Sequence, residues 1–265
     1  MEKLKIAITL GNCNETYRQS ILGILKDPTI LELCTPTVFE EKDALQKLNE
    51  NRVDALVVIP SSEAIECPAD AIEVIITEKT NVVPLSNEPT ADDIIKIRDI
   101  LERDFDLRSP RIAIVQENTM QNSELANQVT AEHNINTYGP YTIDQIMAED
   151  TAWHFDAVIT TSSSSTQHIT EILSQEIPVR YFASKKAVVT AAYQSVQIDT
   201  EGKTTNISWL THPIYAAIDV IRNRAFYDKA RRNPLQKLFR DKRDDRKKED
   251  TTQENANNDK PERAS

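Results

Sequence analysis

The chain has 265 residues, 28% of them charged, and a formal net charge of −11; it is long enough for a sizeable core and too acidic to draw in nucleic acid through its long-range field. No apolar run approaches the roughly 20 residues that cross a bilayer, and Met1-Glu-Lys-Leu-Lys leads straight into a strand, so a cytoplasmic protein without a membrane partner is expected. Cys13, Cys34 and Cys67 form no Cys-x-x-Cys pair and are odd in number, which argues for inert thiols over a disulfide framework or a zinc site. The four glycines are too few and too scattered for any glycine-rich phosphate cradle.

Short β-rich runs alternate with helical segments along the chain. Leu4 to Leu10 reads as a strand, and Tyr17 to Leu25 follows with apolar residues at helical spacing. Val53–Ile59 and Ile72–Thr77 are the next strands. Thr90 caps a helix from Ala91 to about Asp104, with Ile94, Ile97, Ile100 and Leu101 on its buried stripe and Asp92 and Asp93 at its positive end. Pro110 opens the strand Arg111–Val115, a helix covers Ser123–His133, and Tyr138-Gly-Pro-Tyr141 reads as a turn. Phe155–Thr161 is a strand, Gln167–Ser174 a short helix, and Val179–Ala183 and Ala187–Ile198 are two late β-rich runs. A final helix from about Ser208 to Ala230 buries Ile214, Tyr215, Ile218, Ile221 and Phe226 and stops before Asn233-Pro234.

This pattern predicts a mixed, mostly parallel α/β sheet with flanking helices. Residues 1–239 form the α/β region, two intertwined lobes sharing one sheet system, and residues 240–265 form a disordered charged tail with almost nothing apolar to repay ordering. No internal repeat is visible.

In parallel α/β folds the loops at the carboxyl ends of strands decide function. The strongest feature of that kind is Ser162, Ser163, Ser164, Ser165 and Thr166, between a strand and a helix, where hydroxyls and the free N–H groups of a helix start can converge on a phosphate or carboxylate. Ser61 and Ser62 add to the same rim if their strand lies nearby. The bland reading is an ordinary cap. His133, His154, His168 and His212 are not at ligand spacing on one element, and Asp54, Glu63, Glu66 and Asp70 read as a solvated charged face. No metal site and no catalytic residue is therefore assigned.

Several blocks carry a resemblance: Thr9-Leu-Gly-Asn-Cys-Asn14, Ile24-Leu-Lys-Asp-Pro-Thr-Ile-Leu-Glu-Leu-Cys-Thr-Pro36, Asp104-Phe-Asp-Leu-Arg-Ser-Pro-Arg-Ile-Ala-Ile114, Tyr138-Gly-Pro-Tyr141, Phe155-Asp-Ala-Val158 and Ile214-Tyr-Ala-Ala-Ile-Asp-Val-Ile-Arg-Asn-Arg224. In kind and order they resemble the 4-hydroxythreonine-4-phosphate dehydrogenase family in its Bacteroidetes form, in a markedly shortened chain. The resemblance implies a fold like that of isocitrate and isopropylmalate dehydrogenases, reduced in size, and a homodimer with the active site between subunits. It also implies NAD-dependent oxidation of a phosphorylated hydroxy-amino acid in vitamin B6 synthesis, at a divalent metal held by three histidines. Such a metal acts as a Lewis acid on the substrate alkoxide.

The scaffold blocks match and the site blocks do not. After the first strand the family pattern Gly-Asp-x-x-Gly-x-Gly-x-x-Glu keeps only Gly11, with Asn12 at the acid. Ile59-Pro-Ser-Ser-Glu63 stands where Ala-Pro-Ile-Asn-Lys is expected, Gln116-Glu-Asn-Thr-Met-Gln121 where Leu-Asn-Pro-His-Ala-Gly is expected, and Ser162 to Thr166 near Tyr-His-Asp-Gln-Gly. Ser-Pro-Asp-His-Gly has no counterpart near Ser195 to Glu201. The expectation is a catalytically silent relative with a binding, regulatory or assembly role, without cofactor, which pairs with itself or with an active relative and takes a small phosphorylated ligand. The alternative is an active oxidoreductase on a phosphorylated hydroxy acid with a remodelled site, using NAD and a divalent metal; a weaker one is a small-molecule sensor.

Overall fold

A computed structural model describes residues 3–10, 15–59, 71–116, 123–174, 178–184, 187–191 and 211–232. By contacts the chain divides into one unit, Met1–Asn223, and a second, Arg224–Ser265, of which only the end of the last helix is described. The charged tail expected from residue 240, and the family blocks near Ser195, lie outside the described residues.

Among the described residues ten strands make one sheet: β1 (Leu4–Leu10), β2 (Cys34–Phe39), β3 (Ala55–Ile59), β4 (Ile72–Ile76), β5 (Asn81–Pro84), β6 (Ile112–Val115), β7 (Thr137–Tyr141), β8 (Ala157–Thr160), β9 (Val179–Ala183) and β10 (Ala187–Ala191). The helices are α1 (Glu15–Ile24), α2 (Pro28–Leu33), α3 (Glu41–Asn49), α4 (Ala91–Asp104), α5 (Ser123–His133), α6 (Ile143–Met147), α7 (Ser163–Leu173) and α8 (Thr211–Arg232), with a 3-10 segment at Ala148–His154. The strand order is β2-β1-β3-β10-β9-β4-β5-β8-β6-β7. The four strands at each end are mutually parallel. Antiparallel contacts β10/β9, β9/β4 and β4/β5 join the two groups and leave them running in opposite senses. The expected mixed, mostly parallel sheet with flanking helices is what the chain forms.

The two ends of the sheet are built alike. β1-α1/α2-β2-α3-β3 gives the strand order 2-1-3, and β6-α5-β7-α6-β8 gives 7-6-8. Registers coincide: Ile6 pairs with Ala55 and Ile8 with Val57, as Ile112 pairs with Ala157 and Ile114 with Ile159. Each unit also opens on the same clamp. The Asp54 carboxylate accepts from the Lys5 amide at 2.7 Å and the Asp54 amide donates to the Lys5 carbonyl; Asp156 treats Arg111 in the same way, at 2.7 Å and 2.9 Å. The absence of a visible repeat in the sequence is thus corrected: Lys5-Ile-Ala-Ile with Asp54-Ala, and Arg111-Ile-Ala-Ile with Asp156-Ala, are repeated units too short to stand out before the pairing is known. Asp54 is exposed, as expected of a solvated acid, and also serves as a strand clamp; Glu63, Glu66 and Asp70 lie outside the described residues.

Side chains alternate across the strands, so the sheet has two apolar faces. One carries a continuous core in which Ile6, Ile8, Val57, Ile112, Ile114 and Ile159 meet helices α1, α2, α4, α5 and α8. The other is split: α3 covers Ala7, Leu56 and Val58, while α6 and α7 cover Val82, Val115 and Val158. On the central strands the Arg180–Glu73 ion pair links β9 to β4. Cys34 is buried on the first face, where loss of water pushes its thiol up against the opposing pull of Arg222 and Lys3, as expected of an inert thiol; Cys13 and Cys67 lie outside the described residues. Among the described residues no helix is long and apolar enough to cross a membrane.

Several sequence-based boundaries move. α2, β2, α3, β5 and α6 were not expected, and Tyr138-Gly-Pro-Tyr141 is an edge strand with a register shift against β6 and not a turn. β2 and β7 form the two edges, and each carries a proline, Pro36 and Pro140, which an edge strand tolerates and which discourages pairing with another sheet. Phe226 is 57% exposed, not buried. At about 100° per residue it stands about 80° from Ile218 and 120° from Ile214, off the stripe on which they lie.

Candidate functional site

Within the unit β6-α5-β7-α6-β8, the chain leaves β6 toward α5 on one face of the sheet and leaves β8 toward α7 on the other. The crevice outside the carboxyl ends of β6 and β8 is therefore a topological switch point, the place where open α/β sheets bind ligands. The serine run sits there. It is not a loop followed by a short helix, as expected: Ser162 is the N-cap of α7, and Ser163, Ser164 and Ser165 are its first turn. Serine oxygens satisfy the free N–H groups of a helix start, so the run begins the helix itself.

The hydroxyls are spent on one another. Ser162 Oγ accepts from the Ser165 amide at 3.2 Å, lies 2.7 Å from the buried Ser165 Oγ and 3.1 Å from Ser164 Oγ. The Thr166 hydroxyl donates to the Ser162 carbonyl at 2.9 Å and lies 2.7 Å from the Thr160 hydroxyl, which is fully buried at the end of β8. Only Ser163 and Ser164 are exposed in the run. A ligand at this helix start would meet those two hydroxyls and the first-turn amides, not five converging side chains. On the neighbouring strand end Gln116 is 5% exposed, its amide N–H donates to the Tyr141 carbonyl at 2.9 Å, and its Oε1 has no hydrogen-bond partner.

Ser162→Ala should lower stability by about 1–2 kcal/mol, because it removes the cap and strands the Ser165 hydroxyl. Ser163→Ala should change it by less than about 0.5 kcal/mol. Urea unfolding of the two variants measures the difference.

Ser61 and Ser62 lie outside the described residues. β3, which precedes them, stands five places from β8 in the sheet and runs the opposite way, so the two carboxyl ends leave opposite edges. A common rim for the two runs is therefore corrected. By the internal symmetry Ser61 and Ser62 follow β3 as Ser163 and Ser164 follow β8. The four histidines stand on separate elements: His133 ends α5, His154 ends the 3-10 segment, His168 is in α7 and His212 in α8. Among the described residues no three His, Cys, Asp or Glu side chains gather as metal ligands do.

Sequence reasoning missed a second constellation, at the end of α4. Asp104 is 0% exposed; its carboxylate accepts from Arg103 Nε at 2.6 Å and Arg103 Nη2 at 2.7 Å and from the Tyr181 hydroxyl at 2.6 Å, and its carbonyl accepts from Asn223 Nδ2 at 2.9 Å. Hydrogen bonding to Asp104, opposed by burial, holds the Arg103 guanidinium even more firmly protonated than usual. A signal was present: Asp104 continues the stripe of Ile94, Ile97 and Leu101 at three- and four-residue spacing, and an acid on a buried stripe requires partners.

No family model matches the chain. A 4-hydroxythreonine-4-phosphate dehydrogenase of Bacteroides thetaiotaomicron is 25% identical over 348 aligned positions, covering 92% of this chain and 96% of the relative. Over nearly its whole length the chain is thus similar, at a divergent level of identity, to a 4-hydroxythreonine-4-phosphate dehydrogenase. An alignment longer than the 265 residues themselves places many of the relative's residues opposite gaps, so this chain is the shorter of the two. The fold agrees with solved dehydrogenases of that name from Burkholderia phymatum (12% identical, 83% of this chain and 99% of that one, TM-score 0.54) and Klebsiella pneumoniae (16% identical, 83% and 98%, TM-score 0.55).

Proposed function

We propose that this divergent relative does not perform the family's oxidation and serves a binding, regulatory or assembly role in the cytoplasm, paired with a second copy or with an active relative. The observation that carries the reading is the closed hydroxyl chain at the end of β8. Where the resemblance puts Tyr-His-Asp-Gln-Gly, this chain places Ser162 to Thr166, and those side chains cap α7. At the end of β6, where the pattern continues toward a histidine, the chain places Gln116. Hydroxyls and an amide supply neither the imidazoles that bind a divalent cation strongly nor a group that exchanges a proton near neutral pH, so these residues do not fit the metal that the family implies. What they suit is a small polar ligand, such as a phosphorylated amino acid, bound through the exposed first turn of α7 and Gln116.

Purified protein incubated with NAD, a divalent metal and 4-phosphooxythreonine is expected to show no reduction of the nicotinamide and no rise in melting temperature with NAD and metal. Turnover of that substrate, or of a related phosphorylated hydroxy acid, that Ser163→Ala or Ser164→Ala reduces would overturn the proposal in favour of an oxidoreductase with a remodelled site.

A further inference from the structure

We draw no further inference here: the strongest candidate, the cleft of about 510 Å³ between the first half of α8, the end of α4 and the strands β4 and β9, has exposed acids at Glu78 and Asp219, and nothing in the structure shows what covers its apolar wall of Phe105, Val179 and Tyr215.

Discussion

Asp104→Ala is expected to destabilise the protein by about 3–5 kcal/mol, as removing one partner of a buried ion pair typically does. The carboxylate is fully buried and receives two hydrogen bonds from Arg103 and one from Tyr181. Arg103 is partly exposed and can turn its guanidinium to water, which limits the loss. Tyr181 is fully buried on β9, and its hydroxyl would lose the carboxylate to which it donates. Tyr181→Phe alone should cost about 1–2 kcal/mol, and adding it to Asp104→Ala should cost less than the sum, since the hydrogen bond that the two residues share can be lost only once. Chemical unfolding of the two single variants and the double variant tests this. Additive losses would mean that the 2.6 Å contact contributes no coupling.

Gly139→Ala should cost about 2–4 kcal/mol, combining backbone strain with a backbone clash. Gly139 has φ +110°, a conformation that side chains rarely adopt, and a Cβ there would lie 2.7 Å from the Ile114 carbonyl oxygen and 3.1 Å from the Tyr141 amide nitrogen. Both are backbone atoms of the β6–β7 edge, so relief requires the edge strand to move off its neighbour. Gly23→Ala is the internal contrast. Gly23 lies in α1 with nothing within 4 Å of the added atom, and alanine there should stabilise by about 0.5–1 kcal/mol. Thermal melts of the two variants should move in opposite directions. Elsewhere among the described residues the chain turns with positive φ at Asn51, Asp106, Ser109 and Asn134 in place of glycine.

How much was legible follows from where each signal resides. The helix Ala91–Asp104 was readable with its cap because Thr90 and Asp93 form a complete capping box within four residues and the isoleucines repeat at helical spacing. Ser123–His133 and Val179–Ala183 were readable for similar local reasons. β2 and β7 were not, because Pro36 and Pro140 speak against a strand unless the strand is an edge, and being an edge is a property of the sheet. The serine run was correctly singled out as the feature at a strand end, but whether its hydroxyls face a ligand or one another depends on the register of Thr160 against Thr166 across the turn.

The sequence by itself determined the alternation of strands and helices, the buried stripes, the resemblance to the dehydrogenase family and the presence of hydroxyls and amides where that resemblance implies imidazoles. All of these are written in neighbouring residues. Tertiary structure alone decided that the two ends of the sheet repeat each other in opposite senses, that Ser61 and Ser162 follow strands facing opposite edges, and that Asp104, Tyr181 and Asn223 meet. Strand order and direction are set by which apolar faces can be covered together, a condition on the whole chain that no local window of residues contains.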